Sequence, residues 1–267
     1  MTRLGTGYTI DGLNDLAHGV HFNAISRVGR AHPNLVVTWA QPVDGPTPAL
    51  VDASETADTV VVGARGISRA RGLILGSVSL QVAARGHCPV VVVHEKMSSP
   101  AGAPVVVGVD GSAASTNALA YAFEQARSRG VGLTVVHAWW MDFVEGASGS
   151  ADWTVDWAAF AQAEQDLVTA SIAGWQDAYP NVAVSRHSVR GLPVQALIRQ
   201  SENACLVVVG TRGRGGFGGL LLGSVSQGVM RGAQCPVVIV HDPHATESRP
   251  DLENPSYPRL VSVPTGG

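Results

Sequence analysis

Short apolar runs recur along this 267-residue chain, and most of them are rich in valine. Continuous runs of β-branched residues are typical of strands that are buried on both faces of a parallel sheet. On this pattern we predict strands at Asn34–Ala40, Thr59–Val62, Val90–His94, Pro104–Asp110, Val131–Ala138, Val182–Val189, Leu206–Val209 and Val237–His241.

The segments between these runs carry apolar residues at helical spacing, which predicts helices. The pattern is weak within residues 1–33, a proline opens one helix at Pro46, and Ser112 and Ser224 are the expected N-caps of two others. We predict helices at Pro46–Glu55, Ser77–Arg85, the stretch after Ser112, Val155–Tyr179, Pro193–Ser201 and Ser224–Gly232, with a loop from Trp139 to Thr154. Because strands and helices alternate, we expect an α/β fold whose parallel sheet is covered by helices on both faces.

A glycine-rich stretch follows the predicted strand at Leu206–Val209. Seven of the fourteen residues from 210 to 223 are glycine, and Ser224 then begins a helix. Glycines let main-chain N–H groups approach a ligand closely, and a helix N-terminus favours an anion. We therefore interpret this stretch as a phosphate site.

Two common phosphate motifs fit the stretch poorly. Gly213–Gly218 has the G-x-G-x-x-G spacing of a dinucleotide site, but no helical pattern starts inside it and no acidic residue lies about twenty residues further on. Gly218–Ser224 has the outline of a P-loop without its lysine, which argues against a fast NTPase of that class. The spacing that fits is Gly210-x2-Gly213-x9-Gly223-Ser224.

The same spacing occurs a second time, 147 residues upstream (210 − 63 = 147), as Gly63-x2-Gly66-x9-Gly76-Ser77. The two copies align without a gap, and 20 of the 35 positions from Val60 to His94 are identical to those from Val207 to His241. A repeat of this length indicates that a whole structural unit is duplicated.

Composition narrows the function classes. The chain is 45% hydrophobic and 15% charged with a net charge of −3, so it lacks the basic patch that nucleic acids require. Its three cysteines have no disulfide or zinc spacing, and no apolar run reaches the length of a membrane span. The N-terminus also lacks the apolar segment of a signal peptide. We therefore predict a cytoplasmic protein without a nucleic-acid or membrane partner.

The duplicated spacing resembles the phosphate motif of the universal stress protein family, and the resemblance covers about residues 34–96 and 104–242. It implies a doubly wound α/β fold with strand order 3-2-1-4-5, and ATP with Mg²⁺ across the edge of strands 1 and 4. It also implies tandem domains at 1–96 and 104–242, followed by a tail at 243–267 that we expect to be disordered. Last strands pair across a twofold in the family, so we expect the two halves to pair within one chain, with a homodimer as a further arrangement.

In the second half the resemblance implies a complete nucleotide site. Asp110, shortly after Gly108, would meet the ribose or adenine end, and the main chain near Val136, His137 and Ala138 would border the adenine. The phosphates would contact Gly210, Thr211, Arg212, Gly213, Arg214, Gly215, Gly216, Gly223, Ser224, Val225 and Ser226.

The first half departs from the family pattern because its strand 1, helix 1 and strand 2 are missing, and the position equivalent to Asp110 would precede residue 1. Either the start lies inside a longer reading frame or this half is degenerate, and both explanations stay open. We expect it to bind ATP more weakly than the second half. Its remaining phosphate contacts would be Gly63, Arg65, Gly66, Gly76, Ser77 and Val78.

Some of these residues also have simpler explanations. Asp110 could cap the turn that it opens. His94 and His241 end equivalent strands without a second ligand at metal spacing, so no metal site is predicted. His137 and His187 have no serine or cysteine nucleophile in a recognisable turn, and no catalytic residue is predicted.

Two function classes remain. The first is an ATP-binding stress or regulatory module whose nucleotide state changes its dimer or its partners. The second is a slow ATP-hydrolysing or adenylating enzyme of the same architecture. The sequence shows no general base, P-loop lysine or second substrate domain, which favours the first class.

Overall fold

The computed structural model describes residues 10–43, 45–65, 75–95, 97, 99–139, 156–214 and 221–241, with side chains from residue 17 onward. The chain divides into two compact units, residues 1–49 and residues 50–267. Three predicted loop residues, Gly66, Gly215 and Gly216, lie outside the described residues, as do most of the predicted loop after Trp139 and the whole tail.

Seven helices and seven strands form in the part of the chain that the structure describes. The helices are α1 (Ile10–Ala31), α2 (Pro46–Ala53), α3 (Ser77–Arg85), α4 (Ala113–Arg129), α5 (Trp157–Ala178), α6 (Pro193–Ser201) and α7 (Ser224–Gly232). The strands are β1 (Val60–Gly63), β2 (Val90–Val93), β3 (Val105–Gly108), β4 (Leu133–Trp139), β5 (Val184–Arg190), β6 (Leu206–Gly210) and β7 (Val237–Val240). None of the described helices combines the length and the apolar character that crossing a membrane requires.

Two predictions from the sequence were wrong. Residues 34–40 do not form a strand, and their side chains Val36 and Trp39 are 88% and 50% exposed. A strand needs a neighbouring strand to pair its main-chain N–H and C=O groups, and the described residues of the first half include no counterpart of β4 beside which residues 34–40 could pair. Ser224 is the first residue of α7 rather than its N-cap, because the extended residue that caps this helix is Gly223 (φ −69°, ψ 156°).

In the unit of residues 1–49, the weak helical pattern becomes α1. The ring of His21 stacks on Trp39 with 4.9 Å between centroids, and His18 meets the same indole edge-on at 5.3 Å. These ring contacts tie α1 to the irregular segment that follows it.

The seven strands form one sheet in the order β1-β2-β7-β6-β3-β4-β5. Neighbouring strands are parallel except for β2 and β7, which are antiparallel. The strands of the second half therefore run 3-2-1-4-5 across the sheet, which confirms the predicted doubly wound topology. Within the residues that the structure describes, the first half contributes β1 and β2, its last two strands.

Helices cover the two faces of the sheet unequally. One face packs against α2, α3, α6 and α7 and extends over both halves, whereas the other packs against α4 and α5 of the second half. Strand β6 is accordingly buried at every position, but β1 alternates, and its Val61 is 63% exposed. The described residues contain no equivalent of α4 that covers β1, which explains this alternation.

The antiparallel contact between β2 and β7 relates the two halves by a pseudo-twofold. Its central pair is Val91 and Val238, which are equivalent positions of the repeat (238 − 91 = 147). The same symmetry appears at the strand ends, where His241 Nε2 lies 3.0 Å from the carbonyl oxygen of Ala83. The repeat-equivalent residue His94 lies near the main chain of Met230, on α7.

Candidate functional site

A cavity of about 520 Å³ opens at the carboxyl edge of the sheet, where the neighbouring parallel strands β3 and β6 end. In a doubly wound sheet this is the switch point at which ligands bind. Predicted site residues line the cavity at Gly108, Asp110, Ala138, Gly210, Arg212, Gly213, Arg214, Gly223, Ser224, Val225 and Ser226. Sequence reasoning missed Val109, Ser115, Pro193, Leu197 and Val209, which also line it.

The end of β6 is held by close main-chain packing. A Cβ at Gly210 would lie 2.8 Å from the carbonyl oxygen of Ala114, at the start of α4, so only glycine fits there. The Ser226 hydroxyl donates to the Gly210 carbonyl at 2.7 Å, and the Gly223 N–H donates to the Thr211 carbonyl at 2.7 Å. These bonds fix both ends of the glycine loop and direct the N-terminus of α7 at the cavity.

Thr211 has a structural position rather than one on the cavity wall. It is only 5% exposed, and its N–H donates to the Val240 carbonyl at 3.0 Å. Thr211 therefore anchors the loop to β7, and it is not among the residues that line the cavity.

The first turn of α7 presents main-chain donors to the cavity. The first helical bond runs from the Gln227 N–H to the Gly223 carbonyl at 3.0 Å, so the helix leaves the N–H groups of Ser224, Val225 and Ser226 without partners. Because these groups carry the positive end of the helix dipole, this wall of the cavity favours an anion.

Asp110 connects the β3 turn with the glycine loop. Its Oδ1 accepts bonds from the Ser112 N–H at 3.0 Å and the Ser112 hydroxyl at 2.6 Å, and its Oδ2 accepts one from the Arg214 N–H at 2.9 Å. Burial by itself would raise the pKa of this carboxyl, but the donors from Ser112, Arg214 and Ser115 outweigh it and hold the pKa below its usual value. The carboxylate is therefore ionised at neutral pH and holds the loop in place.

Two arginines lie at the opening of the cavity. Arg214 is exposed, and its guanidinium packs against Gly111, whose φ of 79° lies in the left-handed region. Arg212 is half-buried and lines the cavity directly. Their charge complements the anion site at the start of α7.

The opposite end of the cavity is apolar. Val136 and Ala138 of β4, Leu197 of α6 and Val209 of β6 contribute side chains from the face that α6 covers. Such a wall suits a flat, uncharged group better than a phosphate. The cavity therefore has an anion end and an apolar end, with Asp110 between them.

The first half repeats the loop anchors of the second. The Ser79 hydroxyl donates to the Gly63 carbonyl at 2.6 Å, and the Gly76 N–H donates to the Ala64 carbonyl at 2.7 Å. Ser77 and Val78 begin α3 as Ser224 and Val225 begin α7. However, β1 is the edge of the described sheet, so no described strand stands beside it as β3 stands beside β6. Arg65 follows this strand as Arg212 follows β6.

The fold and the cavity define the class: doubly wound α/β proteins with a glycine loop and a helix N-terminus at the switch point. The model of the universal stress protein family matches residues 23–94 and 103–241. The chain therefore belongs to the universal stress protein family, and it contains the family unit in tandem.

Proteins similar to this chain carry the same family name. A universal stress protein of Mycobacterium tuberculosis is 44% identical over 199 residues, which are 73% of this chain and 65% of that protein. A second one from the same organism is 38% identical over 203 residues, which are 73% of this chain and 62% of that protein. The chain thus spans less than two thirds of the length of these relatives.

A solved structure supports the fold. The crystal structure of a universal stress protein from Archaeoglobus fulgidus superposes with a TM-score of 0.64 over 90% of this chain and 82% of that chain, at 24% sequence identity. At this level of identity the likeness concerns the architecture alone.

Proposed function

We propose that the second half of the chain binds ATP together with Mg²⁺, and that the protein is a nucleotide-dependent regulatory module of the stress response. The observation that carries this proposal is the two-ended cavity between β3 and β6. Its volume of about 520 Å³ lies within the range of nucleotide and drug-sized pockets.

The phosphate end is supported by the donors that the fold leaves unpaired. The N–H groups of Ser224, Val225 and Ser226 have no helical acceptor, and Arg212 and Arg214 add positive charge. In this proposal the glycine loop, to which Gly215 and Gly216 belong, contacts the phosphate chain of ATP. Described residues contain no group of three or more side chains that could hold a metal. Because Mg²⁺ usually keeps several waters and binds substrate phosphates, we propose that the phosphates of ATP hold it here.

The base end is supported by the direction of the β4 main chain. Along this strand the main-chain N–H and C=O groups of the odd-numbered residues point toward β5. The Leu133 N–H donates to the Ala183 carbonyl, and the Trp139 carbonyl accepts from the Gly191 N–H. The main-chain groups of Ala138 therefore point the other way, past the end of β3 and into the cavity. Its N–H and C=O offer a donor and an acceptor, and adenine has a ring nitrogen and an amino group to match them.

We further propose that the repeats act as domains at 1–96 and 104–242, paired within one chain through β2 and β7. The apolar residues of these strands support the pairing, because an exposed apolar edge would otherwise invite aggregation. A cytoplasmic location stays a prediction from the sequence.

Calorimetry on the nucleotide-stripped chain tests the proposal. We expect saturable heat with ATP and Mg²⁺ and much weaker binding of GTP, since guanine presents the reversed donor and acceptor pattern. No saturation with ATP, or equal affinity for both nucleotides, would contradict it. Release of phosphate or pyrophosphate faster than about one per second would instead favour the enzyme of the same architecture.

A further inference from the structure

A polar pair lies buried between β4 and α5, on the face of the sheet away from the cavity. His137 Nε2 is 2.5 Å from Glu164 Oε2, and the two side chains are only 5% and 13% exposed. The neighbouring sheet residues Val107 and Val135 belong to the apolar cluster of this face. Burying two ionisable groups costs desolvation that their attraction often fails to offset, so stability alone does not explain the pair.

The other nitrogen of the imidazole reaches toward the cavity. His137 Nδ1 is 2.7 Å from the carbonyl oxygen of Val109, the residue before Asp110. A carbonyl oxygen can only accept a hydrogen bond, so Nδ1 carries a hydrogen. Glu164 on the opposite side then holds the ring in this orientation through the hydrogen bond between its Oε2 and Nε2 of the imidazole.

The Val109 carbonyl occupies a special place in the ladder between β3 and β4. The Val105 N–H donates to Gly132 and the Val109 N–H donates to Val136, each at 2.9 Å. In a regular parallel ladder, the next bond would run from the Ala138 N–H to the Val109 carbonyl. That bond is not formed in the described structure, where the His137 side chain donates to this oxygen instead.

We infer that His137, oriented by Glu164, is a positioning residue for the base end of the nucleotide site. By donating to the Val109 carbonyl, it takes the place of the Ala138 N–H and leaves this amide free for the ligand. The inference rests on the nucleotide site proposed above and adds a residue pair that touches no ligand.

An unpaired main-chain donor on an apolar wall gives selectivity. A ligand with an acceptor at that point gains a hydrogen bond, whereas a ligand without one leaves a desolvated N–H group behind. Without the imidazole, we expect the ladder to extend by one bond, from Ala138 to Val109, which would withdraw the donor from the cavity.

Amide hydrogen exchange tests whether the Ala138 N–H is free of a partner, and it needs no ligand. In the ligand-free protein we expect the Ala138 amide to exchange at least about tenfold faster than that of Val136, which lies inside the ladder. His137→Leu should slow exchange at Ala138. His137→Asn should keep it fast, because the amide nitrogen of asparagine can donate to Val109 in place of Nδ1. If Ala138 is as protected as Val136 in the unmodified protein, the inference is overturned.

Binding gives a second readout. His137→Leu should weaken ATP binding about tenfold, the value of one hydrogen bond, and leave binding of inorganic triphosphate unchanged. Equal loss for both ligands would mean a general structural role and overturn the inference. Glu164→Leu releases the imidazole without altering it and should give the same pattern, so the test holds even if His137→Leu fails to fold. A chain that binds no nucleotide would refute the proposed function, and the exchange of Ala138 would still decide this inference.

Discussion

The carboxylate of Asp110 and the backbone of Arg214 are joined by a 2.9 Å hydrogen bond, although they lie 104 residues apart. The bond connects the turn after β3 with the glycine loop after β6. Since Ser112 occupies the other carboxylate oxygen, Asp110 holds both walls of the cavity at once. A residue placed in this way can shape the loop and contact a ligand.

Asp110→Ala should weaken ATP binding. The variant loses the bond to Arg214 and any bond to the ribose, and charged hydrogen bonds of this kind contribute about 1–3 kcal/mol. Calorimetry measures the difference, and Asp177→Ala, on the exposed face of α5, is the matched control. If Asp110→Ala and Asp177→Ala bind ATP equally well, the carboxylate acts only as a turn cap.

Asp110 should also contribute to acid stability. Its pKa is lower in the folded chain than in the unfolded chain. Its contribution is therefore complete above the unfolded value of about 3.9 and is lost as the pH falls through the folded value. Asp110→Asn removes this contribution, so its free energy of unfolding should fall less steeply with pH in the acidic range. Urea unfolding measures this free energy at each pH. An equally steep fall in the unmodified chain and in Asp110→Asn would contradict the prediction.

Gly213→Val should abolish ATP binding. A Cβ at this position would collide with the Oδ2 atom of Asp110, so the loop or the carboxylate must move away. Gly174→Val is the control, because nothing lies within 4 Å of an added Cβ there. Calorimetry compares the two variants, and unchanged affinity in Gly213→Val would remove the glycine loop from the proposed site.

Two histidines should make the contact between the halves sensitive to acid. Burial lowers the pKa of His241, and the nearby His87 lowers it further, while the carbonyls of Ala83 and Cys88 oppose the shift. Burial likewise lowers the pKa of His94 beside Arg65, although neither of its ring nitrogens reaches hydrogen-bonding geometry. Because the unfolded chain binds protons first, the free energy of unfolding should fall as the pH drops below about 6.5, toward the folded pKa values.

The variant His241→Gln tests this, since glutamine can still donate to Ala83 but does not titrate. We expect a smaller loss of thermal stability between about pH 7.5 and about pH 5.5 than in the unmodified chain. The exposed His187 provides the control as His187→Gln. An identical loss in His241→Gln and His187→Gln would exclude His241 as the acid-sensitive group.

The sequence predicted the helices and strands that depend on the local pattern of residues. Helices α3, α6 and α7 begin and end where their patterns predict, and the valine runs became the strands of the second half. The failures have non-local causes. Residues 34–40 have the composition of a strand but pair with no described strand, and the bond between Asp110 and Arg214 spans 104 residues. The contact of His137 with Glu164 depends on how α5 packs against β4, which the spacing of residues does not reveal.

The two serines at the loop anchors offer a comparison between the halves. Ser226 and Ser79 make the same bond, at 2.7 Å to Gly210 and 2.6 Å to Gly63. Ser226→Ala and Ser79→Ala should each lower the free energy of unfolding by about 1 kcal/mol, the value of one hydrogen bond. Only Ser226→Ala should also weaken ATP binding, and a comparable loss of ATP affinity in Ser79→Ala would show that the first loop is used.

One nucleotide per chain is the expected stoichiometry. The first half keeps Gly63, Gly76 and Ser77 for phosphate, but it has no described counterpart of Asp110 or of the apolar wall at β4. Losing one hydrogen bond and most of the burial of a base costs several kcal/mol, on the order of 10³-fold in affinity. Titration of nucleotide-free chain with ATP measures both quantities, and Gly213→Val should remove the single site. Two sites of similar affinity would mean that residues outside the described sheet complete the first pocket.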